Sequence, residues 1–134
     1  MSSSLRGVGV ALALTILAAS FPSQAQNSGP SSERACFFSH QFESWRAPDD
    51  KTILIRVGLS RYYRLDLAAS CSGITWPFAH LINRIHGPNT ICSPLDWDLA
   101  VGDSSQGFQQ ACIVRSMTKL APEEVASIPA KFKP

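Results

Sequence analysis

TILIRVGLSRYYRLDLAASC, residues Thr52–Cys71, is the stretch that decides the fold. Apolar residues alternate with their neighbours on both sides of the segment Gly58–Arg61, and a period of two places successive side chains on opposite faces of a β-strand. The stretch therefore predicts a β-hairpin with one face in the core. The positions assigned to that face are Ile53, Ile55, Val57, Tyr63, Leu65 and Leu67.

The opposite face of this hairpin is mostly polar, since Arg56, Arg64 and Asp66 share its parity. Opposite charges on such a face can pair across strands. Leu54 and Tyr62 lie on the same face although they are apolar or amphipathic, and apolar residues on a polar face are often covered by a partner. We therefore regard Leu54 and Tyr62 as a possible binding surface.

Further short strands are expected on both sides of the hairpin. The first runs from Cys36 to Trp45, and three later ones are predicted at 79–86, 95–101 and 111–117. In the predicted strand 95–101, every second residue from Leu95 onward is expected to face the core. A polar loop containing glycine joins the last two strands.

A short helix is predicted at residues 122–128. Pro122 suits the first helical position, two glutamates follow in the first turn, and Pro129 ends the helix. The fold class is therefore mainly β: a small antiparallel β-barrel or sandwich of about five or six strands with a short C-terminal helix, stabilised by disulfides.

The first 25 residues have the pattern of a secretory signal peptide. Arg6 precedes an apolar run from Gly7 to Ala19, and small residues at positions 23 and 25 predict cleavage before Gln26. The alternative, a membrane anchor, needs a run of about 20 apolar residues, and this one is shorter. The protein is therefore expected to be exported, periplasmic or secreted, with no membrane span after cleavage.

Cleavage would leave residues 26–134, in which we distinguish three parts. Residues 26–35 are polar and are expected to form a disordered leader, 36–129 a single β-rich domain, and 130–134 a tail. Removing Arg6 from the 12 Lys and Arg leaves 11 against 10 Asp and Glu. So small a net charge gives no electrostatic case for nucleic acid, and the expected partner is an unknown protein or small molecule.

Four cysteines, all in the mature part, indicate a disulfide framework in an exported chain of this size. Cys36, Cys71, Cys92 and Cys112 include no Cys-x-x-Cys pair, so a zinc knuckle and a thioredoxin-like motif are not predicted. Three connectivities are possible. The nested one, Cys71 with Cys92 and Cys36 with Cys112, is the pairing that we predict.

Five short motifs follow one another through the chain: Cys36-Phe37, RYYRLDL at 61–67 running to a cysteine, ICSPLDWDL at 91–99, CIV at 112–114, and PEEV at 122–125. This order resembles an uncharacterised family of small exported bacterial proteins, a domain of unknown function. The resemblance covers residues 36–129. It implies export and a cysteine-stabilised domain, and it supplies no catalytic residue.

Two histidines and two aspartates are the remaining candidates for chemistry. His80 and His86 share a strand parity, as do Asp96 and Asp98, and such a set can bind zinc or position a phosphate. A strand rises about 3.3 Å per residue, which separates the two histidines by about 20 Å, too far to share one metal. We therefore predict no metal and no cofactor.

The sequence thus favours a non-catalytic binding or structural module. The alternative is a small periplasmic hydrolase or metal-dependent enzyme that uses His80, His86 and Asp96. No Gly-x-Ser-x-Gly motif supports a serine hydrolase.

Overall fold

The computed structural model describes residues 36–84, 87–103, 105 and 107–134. In that part of the chain, nine β-strands precede one α-helix, and every strand pairing is antiparallel. The mainly β fold with a short C-terminal helix is confirmed. The elements are β1 (Phe37–Phe38), β2 (Phe42–Asp49), β3 (Thr52–Val57), β4 (Arg61–Leu67), β5 (Ala79–Asn83), β6 (Thr90–Ile91), β7 (Leu99–Asp103), β8 (Phe108–Cys112), β9 (Val114–Lys119) and α1 (Pro122–Ser127).

The strands form two main sheets and one small one. The first sheet has the order β2-β3-β4-β9, the second has the order β5-β7-β8, and β1 pairs with β6. Only Ile113 separates β8 from β9, so the chain passes there from the second sheet into the first. At the other side, β2 and β5 each pair with a single strand among the described residues. The arrangement is therefore a sandwich with one open side and not a closed barrel.

The central hairpin has the bounds that its sequence predicts to within one residue, since Arg61, expected in the turn, begins β4. Ile53 lies opposite Leu65 and Ile55 opposite Tyr63, and all four side chains are at most 1% exposed. Gly58 begins the turn with a φ of +59°, a conformation that a residue without a Cβ adopts at no steric cost. The apolar face of the hairpin is the centre of the core.

Side chains from the other sheets complete this core. Leu99 and Val101 of β7 are buried against it. Phe37 of β1 places its ring 5.1 Å from the Tyr63 ring and 6.0 Å from the Trp97 ring, both tilted. Tilted aromatic pairs at these distances are favourable beyond the area that they bury, so the small sheet β1–β6 is packed against the core.

Two predicted strands start or break at other positions than expected. Residues Pro94–Asp96 form a 3-10 turn and β7 begins only at Leu99, so Leu95 is 93% exposed and its inward assignment was wrong. The predicted strand 111–117 is divided at Ile113, which is 73% exposed. Alternation alone did not reveal that the chain changes sheets at this residue.

The outer predicted strands also differ in extent. A 3-10 turn at Ser39–Gln41 interrupts the predicted strand 36–45, because the polar sequence Ser-His-Gln stands between apolar residues. Strand β5 ends at Asn83, and residues 85 and 86 of the predicted strand 79–86 lie outside the described residues. The helix α1 matches its prediction to within one residue, and a 3-10 turn follows it in the tail.

The presence of two disulfides is confirmed, but the predicted pairing was wrong. Cys36 pairs with Cys92 and Cys71 with Cys112, with Cα–Cα distances of 4.1 and 5.5 Å. The pairing of Phe37 with Ile91 in β1–β6 explains the first bridge. In an antiparallel ladder, the residue before one strand faces the residue after the other, which brings Cys36 to Cys92. Two-residue strands give too weak a sequence pattern to be predicted.

The outer face of the first sheet carries the polar side of the hairpin. Arg64 and Asp66 form an ion pair at 3.2 Å, along one strand and not across two as expected, and Asp66 also accepts a hydrogen bond from the Ser116 hydroxyl at 2.7 Å. Leu54 lies on this face but is only 7% exposed.

The burial of Leu54 on the outer face requires another part of the chain to cover it, and we infer that this is the C-terminal segment. It leaves β9, at one edge of the first sheet, and its 3-10 turn at Ala130–Phe132 contacts β2, at the opposite edge. Because the inner face is filled by the core, we infer that the segment passes over the outer face. The half-buried apolar residues of the C-terminal segment are Leu120, Ala121, Val125, Ile128 and Phe132.

Candidate functional site

A half-open cavity of about 360 Å³ lies where β2 faces β5. Because these strands are the free edges of the two sheets, the cavity occupies the open side of the sandwich. Its volume falls in the lower part of the range for small-molecule sites, roughly 300–1,000 Å³. The described residues that line it are Ser39, His40, Phe42, Leu81, Asn83 and Trp97.

Asn83 supplies the most unusual polar group of this cavity. It ends β5 opposite Leu99, and its side-chain Oδ1 is buried with no hydrogen-bond partner among the described residues. Leaving a buried acceptor unpaired costs about 1–3 kcal/mol, and such groups are rare in folded proteins. The oxygen is closed to solvent, so its missing hydrogen bond is a cost to the fold and not a contact that a molecule in the cavity would make.

The aromatic side chains of the cavity are held in place by neighbours outside it. Trp97 is 8% exposed, and its Nε1–H points to the sulfur of Met117 at 3.4 Å. The ring of His40 stacks on that of Phe38 with a centroid distance of 5.5 Å and an interplanar angle of 14°. The walls are thus largely preformed, as binding cavities usually are.

The described lining contains no Asp, Glu, Lys or Arg side chain. Its polar groups are a hydroxyl, an imidazole and an amide, and the rest of the lining is aliphatic or aromatic. Such a surface can receive an apolar molecule with few polar atoms.

The second candidate surface, Leu54 and Tyr62, is only partly open. Leu54 is buried and Tyr62 is half-buried. A partner could reach Leu54 only if the C-terminal segment moved away from the sheet. Binding at this surface stays a prediction.

The structure separates the candidates for catalysis. His80 lies opposite Gly102 in the β5–β7 pair. Six residues of nearly extended chain separate Gly102 from Asp96, so His80 and Asp96 are on the order of 20 Å apart. His86 lies outside the described residues. Among the residues that the structure describes, no group of three or more His, Cys, Asp or Glu side chains is placed to hold a metal.

Asp96 has a structural task in its turn. Its carboxylate accepts hydrogen bonds from the backbone N–H groups of Cys92 and Ser93, both at 2.8 Å. The hydrogen bond from Cys92 contributes most to holding the pKa of Asp96 below its usual value, and the bonds from Ser93 act in the same direction. Hydrogen bonds donated to a carboxylate favour its charged form. Asp96 thus caps the 3-10 turn that redirects the chain toward β7.

Most residues of the cavity were not singled out by the sequence. Trp97 was predicted to be buried, but Ser39, His40 and Asn83 have no local pattern that marks them. They meet because two sheet edges about 40 residues apart in the chain face each other. The one local pattern here is the polar sequence 39–41 between apolar residues. It predicts a break in a strand but not a binding site.

Comparison with other proteins places the chain in a family without assigning an activity. No curated protein and no solved structure matches it. One family model matches residues 2–130, which is nearly the whole chain and extends beyond the 36–129 of the resemblance. The chain belongs to DUF6491, a family of unknown function.

Proposed function

We propose that the protein is an exported, non-catalytic binding module that holds a small molecule in the cavity between β2 and β5. The observation that carries this proposal is the half-open, largely apolar cavity of about 360 Å³ between the free edges of the two sheets. A bound molecule would cover the half-buried apolar side chains of Phe42 and Leu81.

Export is part of this proposal. Residues 1–25 would be removed as a signal peptide, 26–35 would form the leader, and the domain 36–129 would act in the periplasm or outside the cell. Two disulfides support it, because they persist in oxidising compartments. Among the described residues no helix is long and apolar enough to cross a membrane. Intact mass of the exported protein should give a chain that starts at Gln26, and a chain that keeps residues 1–25 would contradict export.

A binding screen tests the cavity itself. The exported protein is heated with each member of a library of small uncharged aromatic compounds. At a ligand concentration ten times Kd, binding stabilises the folded state by roughly 1.4 kcal/mol. For a domain of this size that raises Tm by about 6 °C.

A matched pair of variants locates the site. Ser39→Phe places a ring in the cavity and should abolish the thermal shifts. Ser60→Phe makes the same change in the exposed turn after β3 and should leave them intact. If no compound shifts Tm, or if Ser39→Phe keeps the shifts of the wild type, the cavity is not a binding site.

A further inference from the structure

We propose that the outer bridge, Cys36–Cys92, is a thiol-exchange site that a dithiol reductant opens, while the inner bridge, Cys71–Cys112, is structural. The two bridges differ in exposure, in the elements that they join and in the charges beside them. None of these differences depends on a ligand in the cavity between β2 and β5.

The outer bridge is open to solvent and the inner bridge is not. Cys92 is exposed and Cys36 is half-buried. Cys71 and Cys112 are 1% and 5% exposed, and both belong to the hydrophobic core. Thiol–disulfide exchange requires a thiolate to reach a disulfide sulfur, and exposed bridges are the ones that reductants open. The folded protein therefore presents the outer bridge, and not the inner one, to a reductant.

The outer bridge also joins elements that belong to neither main sheet. It links the two-residue strands β1 and β6, which pair with each other. Opening this bridge would therefore leave both main sheets and the inner bridge in place. The turn Ser39–Gln41 follows β1 directly, so the bridge fixes the part of the chain from which Ser39 and His40 line the cavity.

Opposite charges beside the two cysteines of the outer bridge set the direction of the exchange. Cys36 lines an open cleft of about 310 Å³ together with Arg61, whose Nη2 donates a hydrogen bond to Gln41 Oε1 at 2.9 Å. The backbone N–H of Cys92 donates to the carboxylate of Asp96 at 2.8 Å. A cation stabilises a nearby thiolate and a carboxylate destabilises it. Cys36 is therefore the better leaving group, because a thiol of lower pKa leaves faster.

The exchange begins when a thiolate of the reductant attacks the Cys92 sulfur from the exposed side. A bond forms between these two sulfurs, the bond to Cys36 breaks, and its electron pair leaves on Cys36 as a thiolate. The second thiol of the reductant then attacks the reductant's own sulfur in the mixed disulfide and releases Cys92. Two electrons thus pass from the dithiol, which becomes a disulfide, to the bridge, and the two protons that the dithiol loses end on Cys36 and Cys92.

Timed reduction of the folded, oxidised protein with dithiothreitol tests the difference between the bridges. Acid quenching, alkylation and peptide mapping at each time should show the outer bridge opening at least about tenfold faster than the inner one. In concentrated guanidinium chloride, where neither bridge is covered, the ratio of the two rates should fall to about one. The proposal fails if the bridges open at equal rates in the folded protein, or if the ratio is as large in the denaturant as in buffer.

A monothiol identifies the sulfur that is attacked. Glutathione cannot complete the second step alone, so chains quenched early should carry it mostly on Cys92. Glutathione found mostly on Cys36 would overturn the assignment of Cys36 as the leaving group.

Three variants test the positioning of Arg61. Arg61→Gln should slow the opening of the outer bridge relative to the inner bridge by at least about threefold, and Arg61→Lys, which keeps the charge, should restore the rate. The inner bridge is the internal reference, since a general loss of stability would speed its opening as well. Arg115→Gln, at an exposed position of β9, should keep the wild-type ratio. A ratio unchanged by Arg61→Gln would refute the part assigned to Arg61.

Discussion

Replacing Asn83 by leucine should make the protein more stable. A polar side chain in a strand is normally retained because it is hydrogen-bonded, and its removal then costs stability. Here the buried Oδ1 has no partner among the described residues. Its desolvation is an uncompensated cost of about 1–3 kcal/mol in the ligand-free protein.

The magnitude follows from that cost and the change in shape. Leucine branches at Cγ as asparagine does, and the cavity beside residue 83 leaves room for its larger methyl groups, so the backbone pairing of residue 83 with Leu99 should persist. Recovering about 1 kcal/mol corresponds to a rise in Tm of about 4–8 °C in a domain of this size.

Chemical denaturation of the oxidised protein, followed by tryptophan fluorescence, measures the effect. Asn89→Leu is the control, and a surface change of this kind should lie within about 0.5 kcal/mol of the wild type. The interpretation of Asn83 fails if Asn83→Leu lowers the free energy of unfolding by 1 kcal/mol or more, since Oδ1 would then be a satisfied structural acceptor.

Three further predictions concern the framework. The double variant Cys36→Ser with Cys92→Ser opens a loop of 56 residues and should lower the free energy of unfolding by about 4 kcal/mol. A non-reduced peptide map of the wild type should contain a peptide that joins Cys36 to Cys92, and a peptide that joins Cys36 or Cys92 to a different cysteine would contradict the structure. Leu54→Ala should cost about 2–3 kcal/mol and Leu59→Ala, at a residue 94% exposed, less than about 0.5 kcal/mol; equal costs in denaturation would show that the C-terminal segment does not cover Leu54. The carboxylate of Asp96 stabilises the fold above its unfolded pKa of 3.8, and this contribution is lost as pH falls through the lower folded pKa. The free energy of unfolding of Asp96→Asn should therefore be lower than that of the wild type at pH 6 and close to it near pH 2. A difference in this free energy that does not change with pH would refute the cap.

The elements that could be predicted from sequence are those whose pattern is local. The hairpin of β3 and β4 has a period of two with a glycine turn, and its inner face was predicted, as were its bounds to within one residue. The helix α1 was marked by Pro122 and Pro129 in the same way. In both cases the residues that decide the element lie within it.

The elements that were missed depend on partners distant in the chain. Leu95 fits an alternating pattern that predicts a strand. Asp96 instead accepts hydrogen bonds from the backbone N–H groups of Cys92 and Ser93, and these bonds hold the segment in a turn. The bridge from Cys36 to Cys92 depends on two strands of two residues each. The cavity arises from the gap between β2 and β5, which no single stretch of sequence records.

The central claim is that the open side of the sandwich binds a small molecule, and a crystal structure of the protein soaked with an uncharged aromatic compound that raises its Tm tests it most directly. The compound should lie between β2 and β5, in contact with Phe42 and Leu81. Density for the compound elsewhere on the protein, with nothing bound between β2 and β5, would contradict the claim.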